Sequence, residues 1–176
     1  MQIINGKHCL INLILWRHAE AEMDSDSGND VDRVLTRRGR KDASKMAKWL
    51  YQHLPASTKI LSSPASRCLE TAHALKELST HRNEPFVITV ADFLGIDNGV
   101  EVIEREVIDR ADADETVLIV GHQPNLGLLV VKFLGMDETA CVIKKGSVWW
   151  LRQRAINGTS DAELHYYLLT VQLPHY

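Results

Sequence analysis

Apolar and polar positions along the chain fall into two alternating rhythms. Largely apolar runs at Leu10–Trp16 and Thr116–Val120 predict strands buried on both faces, and Lys59–Ser62 predicts a short strand. Phe86–Val90 alternates and predicts another. Between them run stripes at helical spacing: Ala43, Met46, Ala47, Leu50 and Leu54; Leu69, Ala72 and Leu75; Val100, Ile103, Val107 and Ala111; and Leu126, Leu129, Val130 and Phe133. Thr36 is the expected N-cap of the first helix and Pro55 its stop. Ser63 is expected to cap the second, with Pro64 in its first helical position. Asp97 or Asn98 should cap the third, and Gly135 should end the fourth. Ser147–Arg152 and Leu164–Gln172 flank Asn157-Gly-Thr-Ser160 and predict a closing hairpin. Residues 1–9, around Asn5-Gly6, are either a leader or an edge hairpin.

Strand and helix alternate four times before the hairpin. That order predicts an α/β fold with three α/β/α layers: a mostly parallel central sheet, helices on both faces and antiparallel strands at the C-terminus. With 176 residues, one domain over 1–176 can bury a full core.

Composition narrows the function. Apolar residues make up 45% and charged residues 24%, as in ordinary globular domains. A net charge of −3 gives no global field for nucleic acid, although it leaves a local basic patch open. Cys9, Cys68 and Cys141 are too scattered for a disulfide framework or a zinc site. No apolar run is long enough to span a membrane. Cys9–Trp16 followed by Ala19-Glu-Ala21 imitates a signal peptide, but Asn12 interrupts the run and cleavage would remove Arg17 and His18. A cytoplasmic protein without membrane or nucleic-acid partners is expected. In the polar connection Ala19–Val34, six acids (Glu20, Glu22, Asp24, Asp26, Asp30, Asp32) precede the first base. They are expected to point away from an anionic ligand or toward a partner's basic residues.

Three of the strands end in reactive groups. Leu10–Trp16 leads to Arg17-His18, Lys59–Ser62 to Ser63, Pro64 and Arg67, and Thr116–Val120 to Gly121-His122. Ligands in open α/β sheets bind at the carboxyl ends of strands. If these strands are parallel neighbours, two Arg and two His converge. Phosphoryl transfer depends on positioning and charge stabilisation. Arg17 and Arg67 can fork onto phosphate oxygens, and a neutral imidazole is a competent nucleophile. Two guanidiniums nearby disfavour protonation of His18, and His122 can donate to a phosphoryl oxygen. With this charge supplied by side chains, no metal or other cofactor is called for.

The pattern resembles the histidine phosphatase superfamily, with its phosphoglycerate mutase-like fold. Arg17-His18-Ala19 stands where that family has Arg-His-Gly. Ser62-Ser-Pro-Ala-Ser-Arg67 is similar to its second motif and Gly121-His122 to its third. Trp16–Glu22, Leu35-Thr-Arg-Arg-Gly39 and Gly121-His-Gln-Pro-Asn125 look most like its SixA-type phosphohistidine phosphatase branch. The resemblance implies a hydrolase in which His18 is transiently phosphorylated while Arg17, Arg67 and His122 hold the phosphoryl group. It implies a phosphate ion in the pocket and a phosphorylated protein, such as a signalling phosphotransfer domain, as substrate. A small phosphate ester, or binding of phosphate or phosphoprotein without turnover, are the alternatives. The chain has little room for the inserted segment that carries the mutase acid, so mutase activity is not expected. Asp97 is the candidate general acid, with Glu20 and Glu22 as alternatives.

Overall fold

The computed structural model describes residues 3–4, 7–8, 11–80, 85–110, 115–137, 141–155 and 164–174. Ala111 of the expected third stripe and the Asn157–Ser160 connection lie outside them. The elements in chain order are β1 (Ile3–Ile4), β2 (Lys7–His8), β3 (Asn12–Arg17), α1 (Arg37–His53), β4 (Lys59–Ser62), α2 (Ser66–Ser79), β5 (Ile88–Val90), α3 (Val100–Arg110), β6 (Thr116–Gly121), α4 (Asn125–Leu134), β7 (Val148–Ala155) and β8 (Leu164–Gln172).

Six strands form the central sheet in the order β5-β4-β6-β3-β7-β8. The first four are parallel, and β7 and β8 join antiparallel. The expected α/β architecture, with its antiparallel C-terminal strands, is the one observed. β1 and β2 pair only with each other, as a separate two-stranded sheet among the described residues.

Alternation along the strands sends successive side chains to opposite faces. Leu13, Leu15, Leu61, Val117 and Ile119 meet α3 and α4 through Val100, Ile103, Val107, Leu126, Leu129 and Val130. Ile14, Trp16, Ile60, Leu118 and Val120 meet α1 and α2 through Met46, Ala47, Leu50, Cys68, Ala72 and Leu75. All six residues of β6 are buried, as a strand covered by helices on both faces must be. The predicted stripes supply most of the core; Leu69 is half-buried, with Cys68 facing inward in its place, and Phe133 is only partly buried.

Several boundaries differ from the sequence reading. The first strand of the central sheet starts at Asn12 rather than Leu10, and the strand expected at Phe86–Val90 is confined to Ile88–Val90. Phe86 is buried but belongs to the approach, where its amide donates to Ser79 Oγ (3.0 Å). Thr36 caps α1 as expected, its Oγ1 accepting from Gly39 N–H. Ser63 does not cap α2, which begins at Ser66 after Ala65; Pro64 lies two residues before the helix. α4 likewise starts at Asn125, after Pro124, which follows a cis peptide bond. α3 begins at Val100, and neither Asp97 nor Asn98 makes a capping bond among the described residues; the Asn98 amide instead donates to the Asp92 carbonyl (2.9 Å). Gly135 ends α4 in the left-handed region at φ 61°, where lack of a Cβ removes the steric penalty.

Candidate active site

Parallel registration brings the three strand ends together. Arg17 pairs with Gly121 across β3 and β6, and Ser62 pairs with Val120 across β4 and β6. The residues just past those pairs are His18, Ser63 and His122. Main-chain bonds continue the registration, from His18 N–H to the Gly121 carbonyl (3.1 Å) and from Ser63 N–H to the Val120 carbonyl (3.0 Å). The His18 and His122 rings then lie 5.3 Å apart, centre to centre.

The turn before β7 secures the end of β3. Gly146 adopts φ 74°, and its N–H reaches both the Arg17 carbonyl (3.2 Å) and the His18 carbonyl (3.1 Å). Trp16 Nε1 donates to the Gly146 carbonyl (3.1 Å), and Arg17 Nη1 to the Ile143 carbonyl (2.6 Å). On the other side, Ala19 N–H donates to Thr71 Oγ1 (3.1 Å), whose hydroxyl donates to the Arg67 carbonyl (2.7 Å). Thr71 thereby ties the loop after His18 to the helix carrying Arg67.

His18 Nδ1 lies 2.7 Å from the Ala19 carbonyl. A carbonyl only accepts, so Nδ1 carries the proton and the lone pair of the neutral ring is on Nε2. Burial drives the His18 pKa down from 6.5 to about 3, and the charges of His122, Arg67 and Arg17 add to the effect against the Ala19 bond. Burial likewise lowers His122 to about 4, aided by Arg67 and Arg17. His122 Nε2 meets Ser63 Oγ at 2.8 Å, and Cys68 Sγ lies 3.5 Å from the same nitrogen. Burial raises the Cys68 thiol to about 12, so this neighbour is a neutral S–H.

Arg67 is 1% exposed. Its Nη1 donates to the Asp30 carbonyl (2.7 Å) and its Nη2 to Asp30 Oδ2 (2.8 Å). The expectation that all six loop acids point away is therefore wrong for Asp30, which sits on Arg67 and also pairs with Arg33 (2.6 Å). A short 3-10 turn at Asp30–Asp32 sets this geometry by folding the chain back so that side chain and carbonyl face one guanidinium. Burial pushes the Asp30 carboxyl up, but its bonds to Arg33 and Arg67 outweigh that and hold it below the usual range. At the site, Nε of Arg17 and Nε of Arg67 are buried with no hydrogen-bond partner among the described residues. Unpaired buried donors are costly, and an anion is the natural group to meet them.

The candidate acids separate. Glu20 lines a cavity of about 420 Å³ together with Arg17, Arg38, Asp42, Lys144 and Lys145, and its carboxylate accepts from Thr36 Oγ1 (2.9 Å). Glu22 and Asp97 are exposed, and among the described residues neither carboxylate is bonded to the two Arg or the two His. Sequence reasoning missed Asp30, Ser63 and Thr71 as site neighbours. Only the Asp30–Arg33 spacing, i to i+3, gave a local hint of the first. Cys68 and Cys141 are free thiols, and Cys9 lies outside the described residues. No described helix is long and apolar enough to cross a membrane.

The fold is that of an α/β protein with two Arg and two His gathered at the strand ends, and comparison with known proteins gives its class. The family model of the histidine phosphatase superfamily (branch 1) matches residues 13–88. The chain belongs to that superfamily and is a hydrolase acting on phosphoryl groups. An uncharacterized Mycobacterium leprae protein is 30% identical over 123 residues, covering 68% of this chain and 71% of the relative. Among solved structures, the candidate phosphohistidine phosphatase SixA of Nakamurella multipartitia is 26% identical, with a TM-score of 0.71 and coverage of 94% of this chain and 96% of that one. The protein histidine phosphatase SixA complexed with tungstate shares the fold at 21% identity, with a TM-score of 0.72 and coverage of 93% and 97%.

Proposed function

We propose that this chain is a phosphohistidine phosphatase in which His18 is the nucleophile. The observation that carries the reading is a neutral His18 with its lone pair on Nε2, beside the half-buried Arg17 and the buried Arg67, whose buried Nε atoms have no hydrogen-bond partner among the described residues. A bound phosphoryl group would satisfy both Nε donors, and the charge of Arg17 and Arg67 would be strongest on the equatorial oxygens of the transition state. His122 would donate a further hydrogen bond. In the first step His18 Nε2 bonds to phosphorus and the bond from phosphorus to the substrate nitrogen breaks. The substrate imidazole leaves neutral when its other ring nitrogen already carries a proton, so little acid assistance is needed. In the second step water displaces His18 and inorganic phosphate departs.

This chemistry suits a phosphohistidine on a protein, such as a phosphotransfer domain, and the SixA-type relatives support that substrate. Should a small ester be the substrate instead, the leaving alkoxide would need a proton, and Glu20, beside Arg17 in the cavity, is better placed to give it than Asp97. The charge needed at phosphorus comes from side chains, so the proposal assigns no metal a step. A cytoplasmic setting, where phosphotransfer proteins work, belongs to the same proposal.

Labelling by a radioactive phosphodonor tests the nucleophile. The expected label is acid-labile and base-stable, and His18→Ala loses both label and turnover, by about 10³-fold or more. Turnover unchanged in His18→Ala would remove the assignment; phosphate binding with no hydrolysis by the unmutated protein would favour a binding module. For the substrate, a phosphorylated phosphotransfer domain is compared with sugar and nucleotide phosphates. Preference for the latter by orders of magnitude would shift the reading to a small-ester phosphatase.

A further inference from the structure

α1 carries a concentration of positive charge, most of it without an ion pair among the described residues. Arg37, Arg38, Arg40, Lys41, Lys45 and Lys48 are all exposed along it. Arg37, Lys41, Lys45 and Lys48 follow at steps of four, four and three, which places them in one stripe about 16 Å long. Arg40 pairs with Glu70 (3.0 Å) and Arg38 lies 3.9 Å from Asp42. Arg37, Lys41, Lys45 and Lys48 make no ion pair among the described residues.

This arrangement opposes helix stability. Cations at the start of a helix meet the positive end of its dipole, and the first turn of α1 holds no acid to offset them. Like charges four residues apart also repel. The apolar face of α1, through Ala43, Met46, Ala47 and Leu50, already secures the helix to the sheet. The stripe is therefore a cost to the isolated protein, in a chain whose net charge is −3.

The stripe starts beside the candidate active site. Gly39 packs so closely on the loop after His18 that a Cβ there would lie 2.0 Å from the Glu20 carbonyl oxygen. Arg38 shares a cavity with Arg17, and exposed Lys144 and Lys145 line the same cavity. Glu20 and Asp42 line it too but are outnumbered by Arg17, Arg38, Lys144 and Lys145, so the net charge from Arg17 outward along α1 is positive.

We infer that this surface docks an acidic patch on the protein that carries the phosphoryl group, with α1 recognising the patch while the phosphoryl group enters beside Arg17 and His18. The inference rests on the phosphatase reading above and adds the partner's chemistry. A protein fits better than the other polyanions. A membrane-binding helix needs exposed large apolar side chains, whereas those of α1 face the core. A nucleic acid extending past the site would meet Asp24, Asp26 and Asp32 on the exposed loop. A finite acidic patch about 16 Å long gains from the stripe without meeting that loop.

The test uses the full chain and three probes: free phosphohistidine, a phosphohistidine peptide flanked by four glutamates, and the same peptide with glutamines. Peptide binding is read by fluorescence anisotropy with unphosphorylated versions, and turnover by phosphate release. The expected result at low salt is about tenfold tighter binding and higher kcat/KM for the glutamate peptide, an advantage that added salt erases. The triple variant Lys41→Gln/Lys45→Gln/Lys48→Gln should lose the advantage in both readouts while hydrolysing free phosphohistidine as before. Equal binding of the two peptides, or an advantage that survives in the triple variant, overturns the docking surface. Tighter stripe-dependent binding of anionic vesicles or of a 20-base-pair duplex overturns the protein partner. Glutamate-dependent binding without turnover of any probe supports the surface and overturns the phosphatase reading, so the two fail separately.

Discussion

Burial, before charge, keeps His18 and His122 neutral, and this fixes a pH dependence. Both have folded pKa values, about 3 and about 4, below the ordinary 6.5. Between 6.5 and those values the unfolded chain binds more protons than the folded one, so stability falls as pH falls through that window. Denaturation midpoints at pH 7.5 and 5 should show the drop, and His122→Gln should flatten it. A slope identical in the variant would mean that other groups dominate. Asp30 makes a second prediction at this scale. Asp30→Asn keeps the main-chain carbonyl on Arg67 but removes a negative charge beside the anion pocket. Inorganic phosphate should then inhibit about fivefold more tightly, equivalent to ~1 kcal/mol for the lost repulsion between the anion and the half-exposed Asp30 carboxylate. Inhibition constants for the two proteins measure it.

Among elements, α1 shows how a local rule can reverse. Replacing glycine by alanine inside a helix ordinarily stabilises it by about 1 kcal/mol. At Gly39 the added Cβ would meet the Glu20 carbonyl at 2.0 Å and at Gly127 the Cys141 carbonyl at 1.8 Å, both main-chain atoms with little freedom to yield. Gly39→Ala and Gly127→Ala should each destabilise by about 1–3 kcal/mol, read as a lower denaturation midpoint. Gly39→Ala should also lower kcat, because the displaced segment follows His18. The sequence displayed α1 well, since its stripe and the Thr36 cap are local signals. It displayed the start of α2 poorly. Ser63-Pro64 has the form of a helix start, but the Ser63 hydroxyl instead meets a histidine 59 residues away. Local spacing cannot express such a contact. The Asp30–Arg67 pair, 37 residues apart, was hidden for the same reason. The gathering of Arg17, His18 and His122 at strand ends was legible because each directly ends or follows a largely apolar run whose parallel neighbours the α/β alternation implies. Arg67, in α2 beyond the short β4, was marked by the motif around it more than by an apolar run.

Across the whole molecule, the sheet separates two apolar clusters. Ile60→Val on the α1/α2 side and Ile103→Val on the α3/α4 side should each cost about 1 kcal/mol. Their sum should hold in the double variant within about 0.5 kcal/mol, because the sites share no partners. A double-mutant cycle by denaturant titration checks this.

The position of β6 between β3 and β4 has a consequence for how the molecule is made. Arg17 and Arg67 both emerge early in synthesis, yet β3 and β4 cannot flank one pocket until residues 116–121 slide between them. A nascent chain ending before β6 has both guanidiniums and no place where they meet. An oxyanion that bridged them would bind the sheet with β6 in place and not its precursors, and by mass action would stabilise only that state. Inorganic phosphate in a refolding mixture would act as a ligand for the entry of β6 between its neighbours, and its binding would report that event.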